Sequence, residues 1–168
     1  MPKKVLVIIG SDSDLPVMSA CIRMLDDFAI PSDVRICSAH RSPELAAQLA
    51  RDAAGEGYGV IIAAAGLAAH LPGVLASYTI LPVIGVPIKN GALAGQDALY
   101  AIVQMPAGIP VATVAIDGAA NAAILAARIL AVQDVDLQTR LHQYRQTLAD
   151  SVKERQKRLD EQLAGQKD

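Results

Sequence analysis

Five short apolar runs rich in β-branched residues, Val5–Ile9, Val34–Cys37, Val60–Ala63, Val83–Val86 and Val111–Ala115, recur along the chain with helix-length stretches between them. Strands that alternate with helices pair in parallel through crossover connections, and the helices then cover both faces of one sheet. The helical stretches are Leu15–Phe28, Glu44–Ala54, a short piece after Pro72, Gln96–Val103 and Asn121–Val132. Asp14 before Leu15-Pro16, and Ser42-Pro43-Glu44, carry the capping residue and first-turn proline that start a helix. With 168 residues, 52% of them hydrophobic, the chain is long enough for one domain with an ample core. Residues 1–132 are expected to form that α/β domain, with 133–168 as a helical extension of it.

Charge is spread very unevenly. Of the 32 Asp, Glu, Lys and Arg side chains, 14 lie in residues 1–59, four in 60–132 and 14 in 133–168. Gly57–Ile88 has none, yet Pro72, Pro82 and Pro87 interrupt it too often for a membrane helix. A monomer must expose part of that segment, and burial between copies of the chain is the economical expectation. Net charge is −2 and no long basic run occurs, which argues against nucleic acid or an anionic membrane as partner. Met1-Pro2-Lys3-Lys4 leads into an apolar run too short for a secretory signal, so a cytoplasmic location is expected. Cys21 and Cys37 lie on separate elements without ligand spacing and are expected as buried free thiols.

The last segment follows another pattern. Leu137, Leu141, Tyr144, Leu148, Val152, Leu159 and Leu163 recur at three or four, with Arg155 as a polar interruption, giving one apolar stripe on a charged helix. Such a helix is roughly 40 Å long at about 1.5 Å per residue, more than one small domain needs. The stripe predicts docking on a neighbouring subunit.

Polar residues gather where strands hand over to helices. In an open parallel sheet the C-terminal strand ends line one crevice, so stretches far apart in sequence converge on one ligand. After the first run comes Gly10-Ser11-Asp12-Ser13-Asp14, and after the second Ser38-Ala39-His40-Arg41. Gly10 suits a tight turn, and Ser11 and Ser13 place hydroxyls beside backbone N–H groups at a helix start, an arrangement that holds anions. Read alone, the same stretch is equally a turn with Asp14 as a helix cap. Arg41 favours the anion reading, because a guanidinium grips phosphate through two parallel hydrogen bonds. Asp14 then suits a ribose diol, with Asp12 turned to solvent. His40 beside Arg41 can give and take a proton near neutrality. The third strand end, Ala63–Gly73, is almost all small apolar residues before His70, a dry wall that lets a flat ligand approach the backbone. His70 reads equally as a helix-start residue or a direct participant. No histidine pair has metal-ligand spacing.

These motifs, together with Ala68-Ala69-His70-Leu71-Pro72-Gly73 and the stretch Lys89–Gly95 followed by Leu99-Tyr100-Ala101-Ile102-Val103-Gln104-Met105-Pro106, resemble the N5-carboxyaminoimidazole ribonucleotide mutase family of purine biosynthesis. The resemblance runs from the first strand to about Val132. It implies a flavodoxin-like three-layer α/β/α fold, a homo-octamer, and neither metal nor ATP as cofactor. It also implies that the α/β domain is catalytic, that Ser11, Asp14 and Arg41 bind the ribonucleotide, and that His40 is the acid/base residue. Ser13, Ser38 and Ala39, with Gly66, Ala68, His70 and Leu71 of the third strand end, complete the expected substrate-binding set. The implied reaction moves a carboxylate from an exocyclic nitrogen to a ring carbon through released and recaptured CO2, and the Ala/Gly wall is expected to retain that CO2. The chain departs from the family at Ala64 and Leu67, where glycine is common. If the second position needs positive φ, Leu67 must adopt it against its own sterics.

A related branch carboxylates the unmodified aminoimidazole ribonucleotide directly. That branch typically has lysine after the histidine and lacks the Ala-His-Leu-Pro-Gly stretch, so Arg41 and His70–Gly73 favour the mutase. A receiver-type signalling module needs an aspartate at the third strand end, where this chain has Ala63-Ala64-Ala65-Gly66. A flavin carrier finds little to sandwich its ring in a chain with no Trp and one Phe.

Overall fold

The computed structural model describes residues 3–165. The ends of the two expected segments, residues 1–2 and 166–168, lie outside the described residues. Five strands, β1 (Lys4–Ile9), β2 (Ser32–Ile36), β3 (Tyr58–Gly66), β4 (Val83–Ile88) and β5 (Ala112–Thr113), form one parallel sheet in the order β2-β1-β3-β4-β5. The helices are α1 (Leu15–Asp27), α2 (Pro43–Asp52), α3 (Leu71–Ala76), α4 (Gln96–Val103), α5 (Ala119–Leu130) and α6 (Val135–Ala164). This is the parallel sheet covered on both faces that the strand and helix alternation predicts, in the flavodoxin-like three-layer form that the family resemblance implies.

Side chains alternate across a strand, so each inner strand feeds two cores. Val5, Val7 and Ile9 of β1 join Val60, Ile62 and Ala64 of β3 and Ile84 and Val86 of β4 beneath α1 and α5. Leu6, Ile8, Ile61, Ala63 and Ala65 face the opposite way, against α2, α3 and α4. Five buried alanines, Ala119, Ala122, Ala123, Ala126 and Ala127, let α5 approach the sheet and α1 closely. Gly85 does the same for α4, since a Cβ there would run into Ile102 Cγ2. The buried thiols Cys21 and Cys37 belong to these cores and are unpaired, and burial pushes the Cys21 thiol up to about 12.

The charge-free segment Gly57–Ile88 turns out to be the middle of the protein. β3 and β4 are buried over nearly their whole length, which accounts for most of the neutrality without a partner. Its exposed large apolar residues are confined to the connections, at Leu67, Tyr78 and above all Ile80, which is 98% exposed.

Two helix starts differ from the sequence expectation. Asp14 occupies the N-cap of α1 but its carboxylate makes no capping bond there, and Ser42 at the N-cap of α2 makes none either. The Ser42 hydroxyl instead donates to the Ser38 carbonyl at 3.0 Å and accepts from the Ser38 N–H at 3.2 Å. Both residues are drawn into the strand-end loops.

The helix α6 spans 30 residues. Leu137 is buried, and Leu141 and Tyr144 pack against the core, Tyr144 edge-on to Phe28 with ring centroids 5.4 Å apart. Beyond that point Leu148, Val152, Leu159 and Leu163 are exposed, so the stripe continues past the core of the domain.

Candidate active site

The order β2-β1-β3 means that the chain leaves β1 in one direction and continues on its other side, so the loops after β1 and β3 diverge over a crevice. That crevice, of about 420 Å³, is lined by Gly10, Ser11, Ser13 and Asp14 after β1, and by Ser38, Ala39, His40 and Arg41 after β2. Ala65, Gly66, Leu67, Ala68 and Leu71 come from the β3 side, and Asn90 from the end of β4. A larger cavity of about 530 Å³, among Tyr58, Gly59, Leu81, Leu130 and Arg140, opens at the opposite strand ends and contains none of these residues.

The loop after β1 is built by a reciprocal cap. Ser11, extended at φ −152°, accepts from the Ser13 N–H, while the Asp14 carboxylate accepts from the Ser11 N–H at 3.2 Å. This closes a single 3-10 turn, Asp12–Asp14. Gly10 is not the reason for the turn, because a Cβ there would make only ordinary contacts, the nearest at 3.5 Å from the Ala64 carbonyl. The Ser13 hydroxyl donates to Ser11 Oγ at 2.9 Å, so the two hydroxyls face the crevice as a pair. Asp12 is exposed and accepts from Ser11 Oγ and the Ser13 N–H.

Asp14 is the one buried charged residue among the described residues. Burial raises its pKa above 3.8, against the Ser11 N–H and Ser13 hydroxyl, which pull it down. A raised pKa means the folded chain holds this proton more tightly than the unfolded chain. Stability from this group is therefore highest below the unfolded value and declines as pH rises through the folded one. Asp14→Asn keeps the acceptor for the Ser11 N–H and removes that decline. It is expected to raise Tm at pH 7 by up to about 3 °C and to leave Tm unchanged near pH 3, as measured by calorimetry across that range.

The loop after β2 is folded on itself by Ser38 and Ser42, and the Arg41 N–H donates to Ser38 Oγ at 3.3 Å. Arg41 lines the crevice, and its guanidinium has no hydrogen-bond or ion-pair partner among the described residues. His40 Nε2 lies 2.8 Å from His70 Nδ1, with the rings edge to face. One ring donates and the other accepts, so the pair shares a single proton along this contact, and protonating both nitrogens breaks it. His70 sits at the N-cap of α3 without capping it by its side chain, and it is not among the crevice-lining residues; it meets the site through His40.

The turn after β3 depends on Leu67, whose φ is +54°. Such left-handed backbone is unfavourable for a leucine, by about 1–2 kcal/mol. The Ala69 and His70 N–H groups close this turn on the Leu67 and Ala68 carbonyls, both at 2.8 Å, which delivers His70 to His40. The departure from glycine at this position thus keeps the glycine-like conformation.

The structure brings together ten of the eleven sequence-predicted residues in one crevice and ties the eleventh, His70, to it. Asn90 was not anticipated. The signal lay in Pro87-Ile88-Lys89-Asn90, a polar residue directly past the fourth apolar run. Among the described residues no three His, Cys, Asp or Glu side chains cluster as metal ligands, and no helix is long and apolar enough to cross a membrane.

Comparison with known proteins gives a consistent answer. A family model described as AIR carboxylase matches residues 4–151. The chain is 56% identical over 155 residues to an N5-carboxyaminoimidazole ribonucleotide mutase of Pyrococcus horikoshii, covering 92% of this chain and 88% of that one. It is 49% identical over 161 residues to the protein of the same name from Thermotoga maritima, covering 96% and 94%. Its fold superposes on the crystal structure of Treponema denticola PurE with a TM-score of 0.83 at 28% identity, covering 90% of this chain and 95% of that chain. By sequence over most of its length, and by a strand-end crevice set on the same fold, the chain belongs to the AIR carboxylase family.

Proposed function

We propose that the protein is an isomerase of purine biosynthesis that converts N5-carboxyaminoimidazole ribonucleotide to 4-carboxy-5-aminoimidazole ribonucleotide. Family membership and the relatives named as mutases support this reading. The observation that carries it is His40 on the wall of a crevice that Arg41, whose guanidinium has no protein partner among the described residues, and the paired Ser11 and Ser13 hydroxyls also line. Ser11, Ser13 and Arg41 would hold the phosphate, and the inward carboxylate of Asp14 the ribose diol. Ser38, Ala39, Gly66, Ala68 and Leu71 would wall the base.

The chemistry needs only one mobile proton. Cleaving the N–CO2 bond leaves the electron pair on nitrogen, which takes a proton from His40. The ring carbon then bonds to the freed CO2 and returns its own proton to His40, so the enzyme ends as it began. His70, hydrogen-bonded to His40, stabilises each protonation state in turn. Small side chains at Ala65, Gly66 and Ala68 leave the wall without a competing nucleophile, and this supports retention of CO2. The reading involves no metal or other cofactor and a cytoplasmic location.

Assembly belongs to the same reading: a homo-oligomer, and by family resemblance an octamer. It is supported by the exposed outer half of the α6 stripe and by the exposed Ile80 and Tyr100. Ending the chain after Arg145 removes that stripe while keeping Leu141 and Tyr144, which pack on the core. Light scattering is expected to show fewer subunits per particle, with helical and sheet structure retained by circular dichroism, and an unchanged number of subunits would remove α6 from the interface.

The deciding experiment compares two mixtures, the protein with N5-carboxyaminoimidazole ribonucleotide, and the protein with aminoimidazole ribonucleotide plus bicarbonate. Fast product formation in the first is expected. Product from the second alone would make the protein a direct carboxylase.

A further inference from the structure

The loop from Lys89 to Gly95, between β4 and α4, brings one more polar side chain to the crevice. Asn90 lines it beside Gly66, and a Cβ on Gly66 would sit 3.4 Å from Asn90 Cβ. Asn90 Oδ1 accepts from the Gly91 N–H at 2.8 Å, which orients the amide and leaves Nδ2 with no partner among the described residues.

This loop is held from two sides. The Lys89 N–H donates to Asp117 Oδ1 at 2.8 Å, and the Asp117 N–H donates to the Pro87 carbonyl at 2.8 Å. Asp117 maintains these contacts in a left-handed conformation, φ +56°. On the other side Leu67 Cδ2 lies 2.7 Å from where a Cβ on Gly91 would be, so the loop rests on the left-handed turn after β3. Asn90 is therefore presented from a fixed support at each end.

The donors of the crevice can be assigned by the chemistry each part of the substrate demands. Phosphate needs several strong donors, which Ser11, Ser13 and Arg41 supply. A ribose diol needs an acceptor, which is Asp14. The transferred carboxylate accepts only, so it needs N–H or O–H donors. With His40 and His70 engaged in moving protons, two side-chain donors are left: the Ser38 hydroxyl, whose oxygen already accepts from the Arg41 N–H on the β2 side, and the Asn90 amide, which stands beside Gly66 on the small-residue wall. An uncharged donor suits this task. Release of CO2 removes negative charge from the carboxylate, so a cation gripping it would stabilise the ground state over the transition state.

We propose that Asn90 binds the carboxylate that the reaction transfers, with Asp117 as the positioning residue for its loop. The proposal rests on the mutase reading above. It makes Asn90 a determinant of the preference for a carboxylated over an uncarboxylated nucleotide, independent of phosphate and ribose.

The test is calorimetric titration of the full-length protein with the ring-carboxylated nucleotide and, separately, with aminoimidazole ribonucleotide. Asn90→Ala is expected to weaken the first by about 10- to 100-fold and to leave the second within about twofold. Asn90→Asp, which sets a like charge against the carboxylate, should weaken the first further and again spare the second. Asp117→Ala should give a smaller loss with the same selectivity. Asp117→Asn, which keeps an oxygen to accept from the Lys89 N–H, should restore wild-type discrimination. Equal losses for both nucleotides, or none, in the Asn90 variants overturn the proposal, and a non-selective Asp117→Ala removes the positioning role. Failure of the mutase reading would look different: the wild-type protein would not turn over N5-carboxyaminoimidazole ribonucleotide.

Discussion

Replacing His40 by asparagine is expected to lower turnover by about 10²- to 10⁴-fold, the range spanned by loss of a positioned acid/base group. Asparagine keeps a polar planar end but cannot cycle between protonated and neutral forms, so both proton steps fail together. His40 is exposed and its backbone belongs to a loop secured by Ser38 and Ser42, so the fold does not depend on the ring. Binding of aminoimidazole ribonucleotide should stay within about threefold of wild type, because the proposed phosphate and ribose contacts lie on other residues. Stopped assays of product formation, paired with titration calorimetry, separate the two quantities. Near-normal turnover would reassign the proton to another group, and His70 at 2.8 Å would be the first to examine.

Arg41→Ala is the second large effect, and it falls on binding. Each hydrogen bond to a charged group contributes about 1.5–3 kcal/mol, so losing a forked pair to phosphate should raise KM by about 10²- to 10⁴-fold. The comparison that isolates the cause is the matching riboside, which lacks the phosphate. Its weak affinity should be the same for wild type and variant, whereas a folding defect would weaken both ligands. Arg41→Lys keeps the charge and loses the fork, and should fall between. If phosphate-bearing and phosphate-free ligands lose affinity equally, Arg41 does not contact phosphate.

The fold was legible because β-branched runs and turn residues speak locally. The C-terminal part of β3 shows where that ends: Val60–Ala63 announces a strand, but Ala64, Ala65 and Gly66 have little strand preference and are extended because Val86, Pro87 and Ile88 pair with them on one side and Ile9 with Ala64 on the other. The apolar run Val111–Ala115 pairs over Ala112–Thr113 alone, because an edge strand has one neighbour to hold it. Within the site, the residue types at the first two strand ends stated their chemistry. Their partners did not: nothing in the spacing of His40 and His70 sets a 2.8 Å contact, since it depends on the left-handed backbone of Leu67. Asp14 and Ser42 were readable as caps, yet each turns back on its own strand-end loop, Asp14 to the Ser11 N–H and Ser42 to the Ser38 carbonyl, three and four residues earlier. Asn90 escaped because asparagine in a Gly-rich loop looks like turn chemistry until the neighbouring strand end is seen beside it.

The strand order has a bearing on how the chain emerges from synthesis. β2 adds to one side of β1, β3 to the other, and β4 and β5 extend outward from β3, so each strand finds its partner edge already made. The uncharged run through β3 is the segment most prone to pair with other chains when left open. It appears only after β1 is available, and β4 follows within one short helical connection to close its second edge. A circular permutant starting at β3 would present that run before β1 exists, and the order of elements along the chain, rather than any single contact, would then decide whether it folds or aggregates.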